Sequence, residues 1–109
     1  MSKKNLSQIE TRIAAIKREL MVIGEMRPGS LTQQFKDPAK KSGGSYQISY
    51  THHMKSRTEY VRPQFVKMLK KQVVSFAKFK KLTQEWTDLA IEHSKEKIRL
   101  AIVEEKGLS

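Results

Sequence analysis

Basic side chains that can bind phosphate groups are concentrated in the middle of this chain of 109 residues. Ten of its eleven net positive charges fall between positions 36 and 81, where twelve Lys or Arg residues outnumber two acids, Asp37 and Glu59. The flanking segments carry net charges of only +3 and −2. Positive charge confined to one segment creates a local positive potential that attracts a polyanion, whereas evenly distributed charge mainly serves solubility. The pattern therefore predicts a partner that carries phosphates.

A lysine-rich helix face and a basic hairpin are the predicted phosphate-binding groups. When the residues after Pro63 are placed on a helix at 100° per residue, five of the six lysines fall opposite the apolar residues, which include Phe65 and Leu69. A merely solvated helix normally interleaves Glu with Lys, yet no acid occurs from Tyr60 through Gln84. The predicted nucleic-acid-binding residues are Lys36, Lys40, Lys41, Lys55, Arg57, Arg62, Lys67, Lys70, Lys71, Lys78 and Lys81. An ordinary solvated face and an anionic membrane surface are the alternatives.

Other side chains of the central segment could recognise bases. Lysines bind phosphates as point charges and carry no sequence information, so base-edge contacts must come from Arg and Gln side chains. The nearby candidates are Gln47, Arg57, Arg62 and Gln64. The candidates to stack on unpaired bases are Tyr46, Tyr50 and Tyr60. The alternative role of these tyrosines, packing the hairpin against a helix, is the simpler one.

The sequence argues against an enzyme and against a metal or cofactor site. There are no cysteines, which removes disulfides, thiolate zinc sites and cysteine nucleophiles. His52 and His53 are adjacent, so on a strand their rings are expected to point to opposite faces and not to share a metal. No phosphate-binding loop, dinucleotide fingerprint, nucleophile elbow or HExxH motif occurs. We expect no catalytic residues, no metal, no cofactor and no small-molecule substrate.

The N-terminal sequence and the hydropathy pattern predict a cytoplasmic protein. The lysines at positions 3 and 4 are not followed by the apolar segment of a secretory signal. No apolar run approaches the roughly 18 residues that a membrane-spanning helix requires. We therefore expect no membrane span.

A heptad pattern predicts an N-terminal helix over residues 5–26. Its apolar residues recur at alternating spacings of three and four and form a helix-pairing seam: Leu6, Ile9, Ile13, Ile16, Leu20 and Ile23. A capping box can start the helix, with Asn5 and Gln8 or with Ser7 and Glu10, and Gly24 can end it. A helix of this length is marginal alone, so it should pair with the C-terminal helix, with a second copy in a homo-oligomer, or with both.

The rest of the chain predicts a linker, a hairpin and a long helix. Residues 27–45 are rich in Pro, Gly and Lys and indicate a basic linker. Residues 46–61 alternate in polarity and predict a two-stranded β-hairpin. Residues 63–106 permit one helix, continuous or broken near Leu82. The predicted fold is a single α+β domain over 1–109, mostly helical, with the long helix packed antiparallel on the first.

This order of elements resembles a small uncharacterised prokaryotic family often found near transposases and other mobile-element genes. Arg27-Pro28-Gly29-Ser30-Leu31 is similar to the turn of that family, and the segment 43–50 to the opening of its strand. Phe65 to Leu89 is similar to its long helix, with an apolar-aromatic stripe that ends in Trp86. The chain departs from the family where the family has a cysteine-rich knuckle, because residues 35–41 contain no cysteine. The resemblance implies this architecture and a mobile-element context.

Together these patterns predict a nucleic-acid-binding accessory protein. The hairpin and the lysine-lined helix face would bind phosphates, and the resemblance alone favours DNA over RNA, in an accessory role in transposition. The alternative is a helical adaptor or oligomerisation protein. It would dock a protein partner through the heptad helix and the acidic C-terminal segment.

Overall fold

Two helices and three strands follow one another in the computed structural model, which describes residues 5–35, 39 and 44–108. The elements are α1 (Leu6–Met21), β1 (Ser30–Gln34), β2 (Ser45–His52), β3 (Lys55–Val61), a 3-10 turn (Pro63–Phe65) and α2 (Val66–Leu108). They form two compact units: the first contains residues 1–22 and 79–109, and the second contains residues 23–78. The predicted α+β class, with a heptad helix, a hairpin and a long helix, is confirmed.

Helix α1 begins as predicted and ends earlier than predicted. The Asn5 side chain accepts a hydrogen bond from the Gln8 backbone N–H at 2.9 Å, and Gln8 Oε1 accepts one from the Asn5 backbone N–H at 3.1 Å. This reciprocal capping box satisfies amides that have no partner within the helix. The helix ends at Met21, so the predicted end at residue 26 is wrong. Val22 and Ile23 are β-branched and Gly24 follows them, which weakens helix propensity there and leaves Ile23, the last residue of the predicted seam, outside the helix.

In the first unit, α1 and the C-terminal part of α2 pack antiparallel. Arg12 donates two hydrogen bonds to the Glu85 carboxylate, at 2.6 and 2.8 Å. His93 Nε2 lies 3.1 Å from Glu10 Oε1. The earlier residue of α1 therefore contacts the later residue of α2. The two helices run antiparallel, which confirms the prediction. The hydrogen bond to Glu85 is the main reason why the pKa of Arg12 is raised above its ordinary value.

The heptad seam supplies the α1 side of this helix pair. Ile9 and Ile16 have no exposed surface, and Leu82 and Leu89 of α2 are buried in the same unit. The other seam residues within the helix are half-buried: Leu6, Ile13 and Leu20. Two of the seam residues are thus completely covered within a single chain.

The second unit contains an antiparallel sheet in the order β1-β2-β3. Strands β2 and β3 form the predicted hairpin. Strand β1 lies inside the segment predicted to be a linker, so that prediction is wrong for Ser30–Gln34. This strand contains a single apolar residue, Leu31, which pairs with Ile48 of β2. Pairing with β2, rather than intrinsic propensity, accounts for a strand with so little alternation.

One face of the sheet packs on the start of α2. This inner face carries Ile48, which has no exposed surface, and Val61, which is 5% exposed. Val66 and Leu69 of α2 complete the buried cluster, and partly buried hydrophobic side chains pack against it: Leu31, Tyr46 and Val73. The period-two pattern of β2 therefore predicted the buried face correctly.

Helix α2 is continuous from Val66 to Leu108, with no break near Leu82. The 3-10 turn precedes it, with Pro63 at its first position. Phe65 belongs to that turn, and its side chain is 46% exposed. The 100° spacing that placed Phe65 on the apolar face of the helix with Leu69 therefore does not apply to Phe65, because a 3-10 turn has a different spacing.

The β2–β3 loop contains two residues in left-handed backbone geometry, His53 (φ 51°) and Met54 (φ 64°). They connect the paired residues His52 and Lys55. The ring centroids of His52 and His53 lie 3.9 Å apart, so the expectation that the rings point to opposite faces is wrong. The left-handed turn at His53 ends the strand alternation on which that expectation depended.

Replacing the loop by His53→Asn and Met54→Gly should raise the free energy of unfolding by about 1 kcal/mol, because Asn-Gly is the sequence that this two-residue turn prefers. Urea denaturation followed by circular dichroism checks this, with Met54→Ala as the control that keeps a side chain at positive φ. A midpoint that does not rise in the Asn-Gly variant contradicts the account of the turn.

Candidate nucleic-acid interface

Four of the predicted lysines form a strip on the part of α2 that belongs to the second unit. This lysine strip consists of Lys67, Lys70, Lys71 and Lys78, all exposed. Helical geometry places them within about 100° of arc and along about 16 Å of the axis. The buried residues Val66 and Leu69 lie on a different side of the helix, against the sheet. The predicted Lys81 is also exposed and belongs to the first unit.

The hairpin contributes basic residues on the inner face of the sheet. Arg57 pairs with Tyr50, and Lys55 pairs with His52, so both share the face of Ile48. Both are exposed, because they lie near the β2–β3 loop. The part of the hairpin that packs on α2 is the part farther from this loop. Arg62 is exposed between β3 and the 3-10 turn. The remaining predicted residues, Lys36, Lys40 and Lys41, lie outside the described residues.

Arg27 neutralises the acid of the hairpin. Its guanidinium forms an ion pair with Glu59 and lies 5.2 Å from the centre of the Tyr50 ring. Its backbone N–H donates a hydrogen bond to the Gln72 carbonyl at 3.1 Å. Sequence reasoning missed this role, because Arg27 lies 32 positions from Glu59 and in a segment predicted to be a linker.

The other described basic residues of the second unit form no ion pair with a described acid. Its described acids are Glu25 and Glu59, and Glu25 accepts a hydrogen bond from Gln72 at 3.1 Å. Seven described basic residues of this unit form no ion pair with any described acid: Lys55, Arg57, Arg62, Lys67, Lys70, Lys71 and Lys78. We call these seven residues the cationic surface.

The opposite face of the sheet carries no charged residue. By register, this outer face consists of Ser30, Thr32, Gln34, Ser45, Gln47, Ser49, Thr51, Ser56, Thr58 and Tyr60. Ten residues at the chain's 30% charged content would include about three charges. Hydroxyl pairs cross the strands here, with Ser49 Oγ 3.1 Å from Thr58 Oγ1. In the sheet, the charged residues therefore lie on the inner face, where α2 packs.

The three candidate tyrosines do not lie together. Tyr46 packs against the buried cluster, and Tyr50 is half-buried beneath Arg27. Tyr60 is 65% exposed, but it lies on the uncharged outer face together with the candidate base reader Gln47. The register thus puts Tyr60 on the face of the sheet opposite Lys55 and Arg57, and Tyr60 also lines a groove together with Arg62.

An apolar groove lies between β3 and the start of α2 in the second unit. Its volume is about 420 Å³, and its lining includes Phe65, Met68, Leu69, Arg27 and Arg62. Phe65 and Met68 are each 46% exposed. Sequence reasoning missed this groove, because no local pattern shows that β3 lies beside the start of α2.

Two kinds of site are absent from the described residues. Within residues 5–35, 39 and 44–108, no three His, Cys, Asp or Glu side chains gather into a group able to hold a metal ion. Over the same residues, no helix combines the length and the apolarity needed to cross a membrane.

The chain was also compared with known proteins. No protein-family model, curated protein or solved structure matches it. The resemblance to the mobile-element family therefore stays a prediction, and a functional interpretation must start from the cationic surface and the groove.

Proposed function

We propose that this protein binds nucleic acid through the cationic surface, as an accessory factor in nucleic-acid transactions. The observation that carries the proposal is the set of seven basic residues without an ion pair among the described residues. The preference for DNA over RNA and the association with a mobile element rest on the family resemblance alone.

The lysine strip lowers the stability of α2 unless a polyanion is bound. Lys67 lies three and four residues before Lys70 and Lys71, so the like charges face one another on one turn of α2. Such pairs destabilise a helix by a few tenths of a kcal/mol each. When a phosphate backbone binds, its negative charges offset the repulsion between the lysines, and its condensed counterions are released.

Fluorescence-anisotropy titrations of labelled duplex DNA, single-stranded DNA and structured RNA, between about 50 and 200 mM salt, test the proposal. If all seven residues bind phosphates of duplex DNA, the slope of log affinity against log salt should approach −6, about −0.9 for each contact. A shallow slope of log affinity against log salt would contradict the proposal. Weak binding that is equal for all three ligands and lost by about 150 mM salt would also contradict it.

A second candidate function is self-association through the first unit. Ile91 and Ile98 on α2 are 53% and 58% exposed, and they lie on the same side of the helix, seven residues apart. Asp88 and Lys95 lie on one flank of this side, seven residues apart. In an antiparallel pair of copies centred near Ile91, each Asp88 would lie opposite the other copy's Lys95. The molar mass by light scattering tests this function, and a monomer at all concentrations opposes it.

A further inference from the structure

We infer that the groove beside the lysine strip takes an unpaired nucleobase, so that the preferred ligand is a nucleic acid with a bulged or single-stranded base. This inference rests on the proposed function and names the part of the nucleic acid that the protein recognises. It assigns to Phe65 and Met68 the role of contacting that base.

The groove exposes an unusual amount of apolar surface to solvent. Phe65 and Met68 each leave 46% of their surface open to solvent, although buried positions exist one residue away at Val66 and Leu69. The volume of about 420 Å³ lies within the range of small-molecule sites. A nucleobase is flat and aromatic, and stacking on a phenylalanine ring suits any of the four bases.

The groove lies next to residues that we propose bind phosphates. Met68 follows Lys67 directly and precedes Lys71 by less than one turn. At 100° per residue, Met68 lies between the lysine strip and the sheet-facing residue Leu69. A strand whose phosphates contact Lys67 and Lys71 would therefore have a base within reach of the groove.

The lining of the groove includes a side chain that can donate hydrogen bonds to a base. Arg27 lines the groove but is held by Glu59. Arg62 also lines it, is exposed and has no described ion-pair partner, so its guanidinium is available to a base edge or to the phosphate beside it. Glu59 lines the groove too, but its charge is balanced by Arg27, so Arg62 gives the lining a net positive charge beside an apolar floor. That combination suits a base attached to phosphates better than an apolar side chain of another protein.

The test compares three labelled duplexes of one sequence: fully paired, with a single 2-aminopurine bulge, and with an abasic bulge of the same backbone. The wild-type protein should bind the 2-aminopurine bulge about tenfold more tightly than the paired duplex. It should show no such preference for the abasic bulge, and 2-aminopurine fluorescence should fall as the base stacks. Phe65→Leu keeps an apolar side chain but removes the ring, and it should abolish the preference without changing affinity for the paired duplex.

The control is Val103→Ala, which changes an exposed apolar residue of α2 in the first unit. It should keep the bulge preference, and Met68→Gln should reduce it. If the wild type binds bulged and paired duplexes equally but with steep salt dependence, the groove assignment is overturned and the proposed function stands. Retention of the preference by Phe65→Leu also overturns the assignment. Absence of salt-dependent binding to every probe overturns the proposed function itself.

Discussion

Replacing three residues of the lysine strip, Lys67→Glu, Lys70→Glu and Lys71→Glu, should weaken duplex DNA binding by about a hundredfold or more at low salt. The change removes three phosphate contacts and places three carboxylates against the backbone. The salt slope should fall by about 3, since each contact contributes about 0.9. Because the three side chains are exposed and form no described ion pair, the melting temperature should change little. Anisotropy titrations at several salt concentrations and thermal melts by circular dichroism measure both quantities.

A matched variant tests whether binding depends on the lysine strip or on the net charge of the protein. Arg18→Glu, Lys95→Glu and Lys97→Glu change the net charge by the same amount, and all three residues are exposed in the first unit. We expect only a small loss of affinity and an unchanged slope. Equal losses in the two triple variants would mean that binding follows net charge, and the strip would then not be a site.

The lysine strip could be read from the sequence because helical spacing alone determines it. Lys67, Lys71 and Lys78 fall on one side of any continuous helix through this segment. The same is true of the hairpin, where alternation in β2 predicted that Ile48 would be buried. Both patterns are local, and the structure of each segment follows its own periodicity.

The features of the fold and of the candidate site that could not be predicted depend on contacts between segments that are distant in the sequence. Strand β1 has one apolar residue, so its place in the sheet depends on Ile48, 17 positions after Leu31. The register of β2 and β3 also puts Tyr60 and Arg57 on opposite faces, although both had been assigned to one interface. Likewise, the groove exists only because β3 lies beside the start of α2.

Ile48→Ala should lower the free energy of unfolding of the second unit by about 2–5 kcal/mol. Ile48 has no exposed surface and belongs to the cluster formed by Val61, Val66 and Leu69. Its truncation removes apolar contacts from both the sheet and the helix, and leaves a cavity where they meet. Urea denaturation followed by circular dichroism measures the loss. The control Val74→Ala, at a residue that is 69% exposed on α2, should cost less than about 0.5 kcal/mol.

The neighbour of Ile48 provides a sharper test of the same packing. Gly29 has φ +151°, and a Cβ atom added there would lie 2.7 Å from Ile48 Cγ1 and 2.8 Å from Cδ1. Gly29→Ala should therefore destabilise the protein through both backbone strain and collision. Ile48→Ala deletes the two colliding atoms, so the double variant should be more stable than the sum of the single effects predicts, by about 1 kcal/mol or more. Strictly additive effects would show that Gly29 is required for its backbone geometry alone and that Ile48 does not pack against it.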